Sequence, residues 1–326
     1  MGTGRGLASM AAAADLVRDC KFPGSHITIY EGLGVLGGSN DGSGDSRNGF
    51  VCRGGRMLNE ETYENFGELF SSIPSLTNPG RSVTEEILNF DHAHPTHAKA
   101  RLVNRDGTIL DVSSMGFDNQ DRLALLKLLL TDEKRLDNLT IQDWFKETPH
   151  FFTTNFWYMW QTTFAFQKWS SSFEFRRYLN RMIFEFGRIE TLEGVTRTPL
   201  NQYDSVIRPL EEYLRQAGVR FEKNCQVTDL DFVPGPGLTV KALYLKRDNG
   251  EQAEGEARYI HDIRELKEGD ICIMTGGSMT DGAMLGDFDA AIPRKEEPFI
   301  SAKLWSKAAA KHSELGNPES FFSKPH

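Results

Sequence analysis

Apolar and polar positions follow two different periods along this chain, and the changes of period mark its elements. Residues 6–20 (GLASMAAAADLVRDC) are small and apolar with charges only toward the end, the pattern of a helix laid against a sheet. Residues 26–31 (HITIYE) alternate and carry β-branched side chains, which predicts a strand; Gly32, Gly34, Gly37, Gly38, Gly42 and Gly44 then break the chain into loop. Ser82-Val83-Thr84-Glu85 has the S-x-x-E form of a capping box and Thr140-Ile141-Gln142-Asp143 is a near variant, so helices are predicted to begin at both and the middle reads as mainly helical. One more helix is predicted over 201–214, followed by strands at 219–221, 226–232, 238–245 and 270–275 that are expected to return to the sheet. Pro234-Gly235-Pro236-Gly237 is the turn between two of them. After Pro293 the chain is polar and Lys-rich, with no closing strand or terminal helix expected, and it reads as interrupted. The class is α/β.

Composition narrows the partners. Among 326 residues, 37 Lys+Arg stand against 46 Asp+Glu, a net charge of −9, and no basic run forms the clustered face that phosphate backbones need, so nucleic acid is excluded as the main partner. No apolar stretch approaches the roughly 20 residues that span a bilayer, and the opening Met1-Gly2-Thr3-Gly4 does not read as a secretory signal. Cys20, Cys52, Cys225 and Cys272 are scattered without metal or disulfide spacing, which is the usage of a reduced, cytoplasmic chain.

Several groups carry candidate chemistry. Gly4-Arg5-Gly6-Leu7-Ala8-Ser9 opens the first helix, and Glu31 ends the following strand 25 residues after Gly6. Glycines there let backbone amides approach a pyrophosphate at a helix N-terminus, and the acid accepts from a ribose hydroxyl; a flexible terminus reads the same way. The strand that should precede the glycines is reduced to Met1-Gly2-Thr3, which reads as a truncated start or a crippled site. Gly37-Gly38-Ser39 and Arg53-Gly54-Gly55-Arg56 offer further close backbone approach, with the two arginines suited to phosphate or carboxylate and equally to solvent or an internal ion pair. His92, His94 and His97 read as solvated loop histidines, and no metal is expected.

Between Trp144 and Phe186 stand 16 aromatic residues in 43, nearly half of the 35 in the chain, and Phe156, Trp160 and Phe164 keep i, i+4 spacing. A packed core explains this pattern; an apolar tunnel for an acyl chain is the sharper alternative. Glu174-Phe175-Arg176-Arg177-Tyr178 follows, and on a helix Glu174 and Tyr178 share a face, so the carboxylate is able to tune a proton-donating phenol. A solvated face with Tyr178 merely packing is the plainer reading.

The runs RGGRMLN (53–59), SSIPSL (71–76), TNFWYMWQTTFAFQKW (154–169), EFRRYL (174–179), NQYDSVIRPL (201–210) and GGSMT (276–280) resemble the fatty acid double-bond hydratases, the oleate hydratase or myosin-cross-reactive antigen family, over residues 4 to 326. Members of that family run further at the C-terminus, so the resemblance implies a chain truncated at both ends. It implies an FAD-binding Rossmann-like domain built from 1–90 plus 200–290, an inserted mainly helical, aromatic-rich substrate region at 91–199, and the start of a truncated C-terminal region at 291–326. Water would add across a cis double bond of an unsaturated fatty acid such as oleate, with FAD organising the site and no net redox.

By the same resemblance Tyr178 is the proton donor and Gln202 binds the substrate carboxylate. Gly4, Gly6, Ser9, Glu31, Gly38, Ser39, Arg53, Gly54, Gly55, Arg56, Met57, Val227 and Ser278 fall at flavin-contacting positions. Met57 stands where many members carry glutamate, so a water-activating carboxylate would have to come from Glu60, Glu61 or Glu174. Ser170 and Phe184 replace histidines, and Gly276 replaces an asparagine. Two other expectations fit the residues: a catalytically degenerate flavin- or lipid-binding remnant, and a flavin oxidoreductase sharing the fold. Peripheral membrane contact and a homodimer are compatible with the resemblance, although no amphipathic basic helix is read from the sequence.

Overall fold

In the computed structural model, which describes residues 2–3, 6–52, 56–188, 191–248, 258–276, 289 and 300–318, the Ala-rich segment after Gly6 forms α1 (Leu7–Arg18) between β1 (Gly2–Thr3) and β2 (Thr28–Tyr30). Met10, Ala13 and Ala14 are buried along one stripe of α1, and the small alanines let the helix approach closely. All three residues of β2 are buried, as expected for a strand covered on both faces. The expected helix at 6–20 and strand at 26–31 are therefore both present, each shortened at its ends.

The chain divides into two units, one comprising Met1–Leu58, Tyr63–Ala93 and Arg197–Phe321, the other Asn59–Thr62 and His94–Thr196. Elements are numbered along the chain. In the first unit, β3 (Gly42–Asp45) and β4 (Gly49–Cys52) form an antiparallel hairpin where only loop was expected. Glycines hid it by removing any alternation, yet Gly44 needs to be glycine: its φ is +125°, and a Cβ there would stand 2.1 Å from the Gly49 carbonyl oxygen. β5 (Leu58–Asn59) and β6 (Val195–Thr196) stand where the chain passes between units. α2 (Glu64–Ser71) and α3 (Val83–Ala93) follow, and the capping box before α3 is real: Glu85 N–H donates to Ser82 Oγ (3.2 Å) and Ser82 N–H to Glu85 Oε2 (2.7 Å).

After the second unit, α9 (Arg208–Gln216) is preceded by a π-helical turn at Tyr203–Ile207. β7 (Arg220–Glu222) then pairs with β2, and β11 (Ile273–Met274) pairs with β1, giving a parallel sheet of order β11-β1-β2-β7 with α1 as the β1–β2 crossover. Two of the four late strands thus return to the sheet as expected, and two do not. β8 (Cys225–Phe232) and β9 (Val240–Asp248) build a separate antiparallel sheet of order β10-β9-β8 with β10 (Tyr259–Glu265). The tight Pro234–Gly237 turn explains the correction, because a short connection joins antiparallel neighbours whereas parallel ones need a long crossover. β10 left no hydrophobic signal: it is an exposed strand carrying His261, Asp262, Arg264 and Glu265.

The tail is corrected too. α10 (Ile300–Lys311) lies on β8, burying Leu304 and Ala308 with Tyr30, Cys225, Val227, Leu230, Leu243 and Leu245. Its apolar stripe is mostly alanine, which Lys303, Lys307 and Lys311 mask in a composition-based reading.

In the second unit, α4 (Asn119–Leu130), α5 (Glu133–Leu136), α6 (Ile141–Trp144), α7 (Asn155–Phe164) and α8 (Ser172–Met182) surround one aromatic core. α6 starts at the expected Thr140/Asp143 box, and α4 at a second box, Asp118/Asp121. Phe145, Phe151, Phe156, Trp157, Trp160 and Phe175 are at most 2% exposed. Phe145 stacks on Phe151 with centroids 3.7 Å apart, while Phe156–Trp160 and Trp160–Phe164 stand at 5.5 and 4.5 Å, so the i, i+4 aromatics serve as core. Among the described residues, no helix is long and apolar enough to cross a membrane.

Candidate functional site

The carboxyl edge of the parallel sheet gathers the nucleotide candidates of the first unit. α1 begins at Gly6, whose backbone is extended (φ −139°, ψ 179°), and no side chain caps the helix start. Ser9 is turned inward: its Oγ donates to the Gly6 carbonyl at 2.9 Å. A helix start without a side-chain cap leaves first-turn amides for an anion, and among the described residues a Cβ on Gly6 would meet nothing within 4 Å. Glu31 ends β2 and is 1% exposed; its N–H donates to Glu222 O, and its Oε1 accepts from Leu33 N–H at 2.8 Å. Gly37 holds φ +110°, which only glycine adopts without strain, and starts the tight turn Gly38–Asn40 that contains Ser39.

Among the described residues, the buried Asn40 Oδ1 in that turn and Thr275 Oγ1 directly after β11 have no hydrogen-bond partner. Each such orphan costs about 1–3 kcal/mol unless something bonds it. An uncapped helix start, a buried acid at the end of the next strand and two orphaned polar atoms fit a polar dinucleotide such as FAD. Val227 stands on β8, whose Cys225 N–H donates to the Glu31 carbonyl at 2.8 Å, and it lines a cavity of about 350 Å³ with Thr228, Leu304 and Lys307. Gly4, Arg53, Gly54, Gly55 and Ser278 lie outside the described residues.

Gln202 and Arg56, read separately from sequence and 146 residues apart, are brought together. Gln202 Oε1 accepts from the Arg56 backbone N–H at 3.0 Å, and Gln202 Nε2 donates to the Arg56 carbonyl. The amide thus grips both backbone groups of one residue, as a neighbouring strand would. Local structure fixes the grip: Asn201 Oδ1 accepts from Asp204 N–H (2.9 Å), and the π-helical turn begins immediately after Gln202. π-turns of this kind are frequent at functional sites. Met57, the next residue, is 37% exposed.

In the second unit, Glu174 and Tyr178 are one turn apart on α8, so they share a face. The Tyr178 ring meets Phe164 and Phe166 edge-on at 5.7 and 5.1 Å and is 39% exposed. The two arginines between them are structural. Arg176 donates to the Leu128 and Leu129 carbonyls at the end of α4, and with Arg177 it pairs with Glu133, whose carboxyl the Arg177 bond holds below its usual range. Of the acids after Met57, Glu61 is bonded by Arg188 at 2.8 Å while Glu60 is exposed. Asn59 is buried, donating to Glu185 Oε1 and the Gly194 carbonyl, and Arg188 also bonds Glu185. Ser170, where the family writes histidine, is buried and accepts from Gln167 N–H at 3.0 Å.

The histidines at 92, 94 and 97 do not converge: His92 is in the last turn of α3, and His97 stands 3.7 Å from Glu193. The acid–imidazole group that does form was not read from sequence. His150 Nδ1 is 2.7 Å from Asp121 Oδ2 and 3.6 Å from Asp118 Oδ2; Asp121 is fully buried, and its bond raises the imidazole pKa. The D-x-x-D capping signature at Asp118 was its one sequence signal, because His150 lies 29 residues away.

Linoleate hydratase from Lactiplantibacillus plantarum is 40% identical over 98% of this chain and 58% of its own length. Oleate hydratase from Streptococcus pyogenes serotype M49 (strain NZ131) is 33% identical over 98% of this chain and 52% of its own. The chain therefore spans a little over half the length of these curated relatives. A solved oxidoreductase from Methanosarcina mazei, 14% identical over 84% of this chain and 58% of its own with a TM-score of 0.47, is too distant to argue from. The MCRA family model matches residues 3–326, so the chain belongs to the MCRA family.

Proposed function

We propose that this chain carries the flavin-binding and alkene-protonating parts of a fatty acid hydratase, which adds water across a cis double bond to give a hydroxy fatty acid. The observation that carries the reading is Tyr178 on α8, with Glu174 one turn before it and the Phe164 and Phe166 rings beside it, in a chain related to two fatty acid hydratases. Gly6, Ser9, Glu31, Gly38, Ser39 and Val227, with Gly4, Arg53–Met57 and Ser278, are the residues we assign to FAD in a Rossmann-like domain formed by the first unit. Bound FAD would supply charge and shape rather than electrons, since adding water leaves the substrate's redox state unchanged.

The chain's own residues do the proton work. The Tyr178 hydroxyl gives its proton to one alkene carbon, water oxygen bonds the other, and the proton lost by water passes through Glu174 back to the phenolate. A phenol is a weak acid, so the step depends on stabilising the developing carbocation, which aromatic faces and a nearby carboxylate do. We choose Glu174 over Glu60 and Glu61 because it shares a helix face with Tyr178, while Glu61 is committed to Arg188. The test is a hydration assay on the purified chain supplied with FAD and oleate or linoleate, with Tyr178→Phe as control. Hydroxy fatty acid from the parent chain and a loss of roughly 10²–10⁴-fold in the variant are expected for a lost general acid. Equal turnover by both proteins refutes the assignment.

A further inference from the structure

At the start of α4 a buried carboxylate is only half satisfied. Asp121 is fully buried; its Oδ2 accepts from the Asp118 N–H at 3.1 Å and stands 2.7 Å from His150 Nδ1. Its other oxygen, Oδ1, is also buried and has no hydrogen-bond partner among the described residues. A buried carboxylate oxygen without a donor carries its full desolvation cost, and native proteins rarely leave one so. Among the described residues, neither Asp118 nor Asp121 is paired with a lysine or arginine; the imidazole is the one cationic partner of both. One donor atom from each of the three residues lies within 4.8 Å of the other two.

We propose that Asp118, Asp121 and His150 bind a divalent transition-metal ion of the zinc type, through both carboxylates and the imidazole Nδ1. The charges balance, since two carboxylates and a neutral imidazole match a dication. Oδ1 belongs to one of those carboxylates, so the ion is also the counter-charge that this oxygen lacks. The donor set selects the metal: imidazole nitrogen suits zinc and its neighbours, whereas magnesium and calcium take oxygen shells. Zinc bonds to nitrogen and carboxylate oxygen run about 2.0–2.2 Å, so tetrahedral ligand atoms stand about 3.3–3.6 Å apart. The 3.6 Å between His150 Nδ1 and Asp118 Oδ2 already meets that spacing. The 2.7 Å contact with Asp121 has to open by about 0.6 Å to reach it. His150 is half exposed and Asp121 is locked in the capping box, so the ring is the partner that moves. With no ion bound, Nδ1 donates to Asp121, and the ion takes that proton's place.

The site's place in the fold gives the ion a structural role. Asp118 and Asp121 belong to the first turn of α4, and His150 lies in the 3₁₀ turn Pro149–Thr153, which sends Phe151 and Phe152 into the aromatic core before α7 begins. An ion here fastens two stretches 29 residues apart and stabilises the second unit by mass action. None of this depends on the fatty acid reading.

The test uses the full chain, stripped with a chelator, dialysed, and titrated with zinc chloride in a calorimeter, with melting curves read by tryptophan fluorescence. One equivalent of Zn²⁺ is expected to bind, and Tm is expected to rise with Zn²⁺ concentration. Asp118→Asn keeps an oxygen to cap the Asp121 N–H, so it removes the charge without removing the cap. That variant and His150→Gln should each bind Zn²⁺ at least tenfold more weakly and lose the Tm rise. His97→Gln, at an exposed imidazole 3.7 Å from Glu193, should bind as the parent does. Magnesium chloride at the same concentrations should leave Tm unchanged. No Zn²⁺ binding by the parent chain overturns the site, which is then only an imidazolium paired with two acids. Undiminished binding in either Asp118→Asn or His150→Gln, an equal loss in His97→Gln, or an equal Tm rise with Mg²⁺ overturns it as well, the binding then being adventitious.

Discussion

Replacing Phe175 with alanine probes the aromatic core that carries Tyr178. Phe175 is fully buried on α8, three residues before Tyr178, with ring centroids 5.5 Å from Trp160, 5.8 Å from Phe166, 6.2 Å from Phe151 and 6.3 Å from Phe145. Truncation removes a ring's transfer free energy and leaves a cavity whose walls are themselves packed rings with little freedom to collapse, so the loss belongs to the usual range of about 3–5 kcal/mol. For a domain of about 100 residues, each kcal/mol moves Tm by about 4–8 °C, so a shift of at least 12 °C is expected. Tryptophan fluorescence is a suitable assay because four of the five tryptophans, Trp144, Trp157, Trp160 and Trp169, belong to the second unit. Phe184→Ala, at a site 65% exposed, should change stability by less than about 0.5 kcal/mol and serves as control. A Phe175→Ala melt within 2 °C of wild type would refute the core as described.

Two further perturbations test other parts. Glu86 is buried in α3 and accepts from Ser75 Oγ (2.7 Å), Thr77 Oγ1 and Asn78 Nδ2 (2.8 Å), fastening the loop before that helix. Only the Ser75 bond is between buried groups, so Glu86→Ala should cost about 1.5–3 kcal/mol in urea unfolding, with a cost under 0.5 kcal/mol contradicting the role. His150 has its pKa raised by the Asp121 bond, so the protonated pair adds stability that is fully present below the ordinary imidazole value of about 6.5 and is lost as pH rises through the folded-state value. Melting curves of wild type and His150→Gln should therefore converge as pH increases; a gap that widens with pH contradicts the pairing.

How much of this was legible depended on whether a single stretch of chain contained the signal. α1 with its buried alanines, β2, and the boxes at Ser82 and Thr140 are local patterns, and they appear where the sequence puts them. The β3–β4 hairpin was hidden by glycine, β10 by its lack of an apolar face, and α10 by lysines around an alanine stripe. The placement of β8 and β9 in their own sheet was a pairing question that strand propensity does not address, though the Pro-Gly turn contained the answer. At the candidate site, Glu174 and Tyr178 were legible because a helix fixes i, i+4 neighbours. The contact between Gln202 and Arg56 and that between Asp121 and His150 join residues far apart in sequence, where spacing says nothing.

Isotope labelling addresses the central claim most directly. The FAD-supplied chain is incubated with oleate in water enriched in ¹⁸O, under air, and the product is weighed by mass spectrometry. Hydration predicts a hydroxy fatty acid heavier than oleate by one labelled water, with no hydrogen peroxide released and with the product lost in Tyr178→Phe. A product whose oxygen is unlabelled, and so derived from dioxygen, would contradict it and make the chain a flavin oxidoreductase.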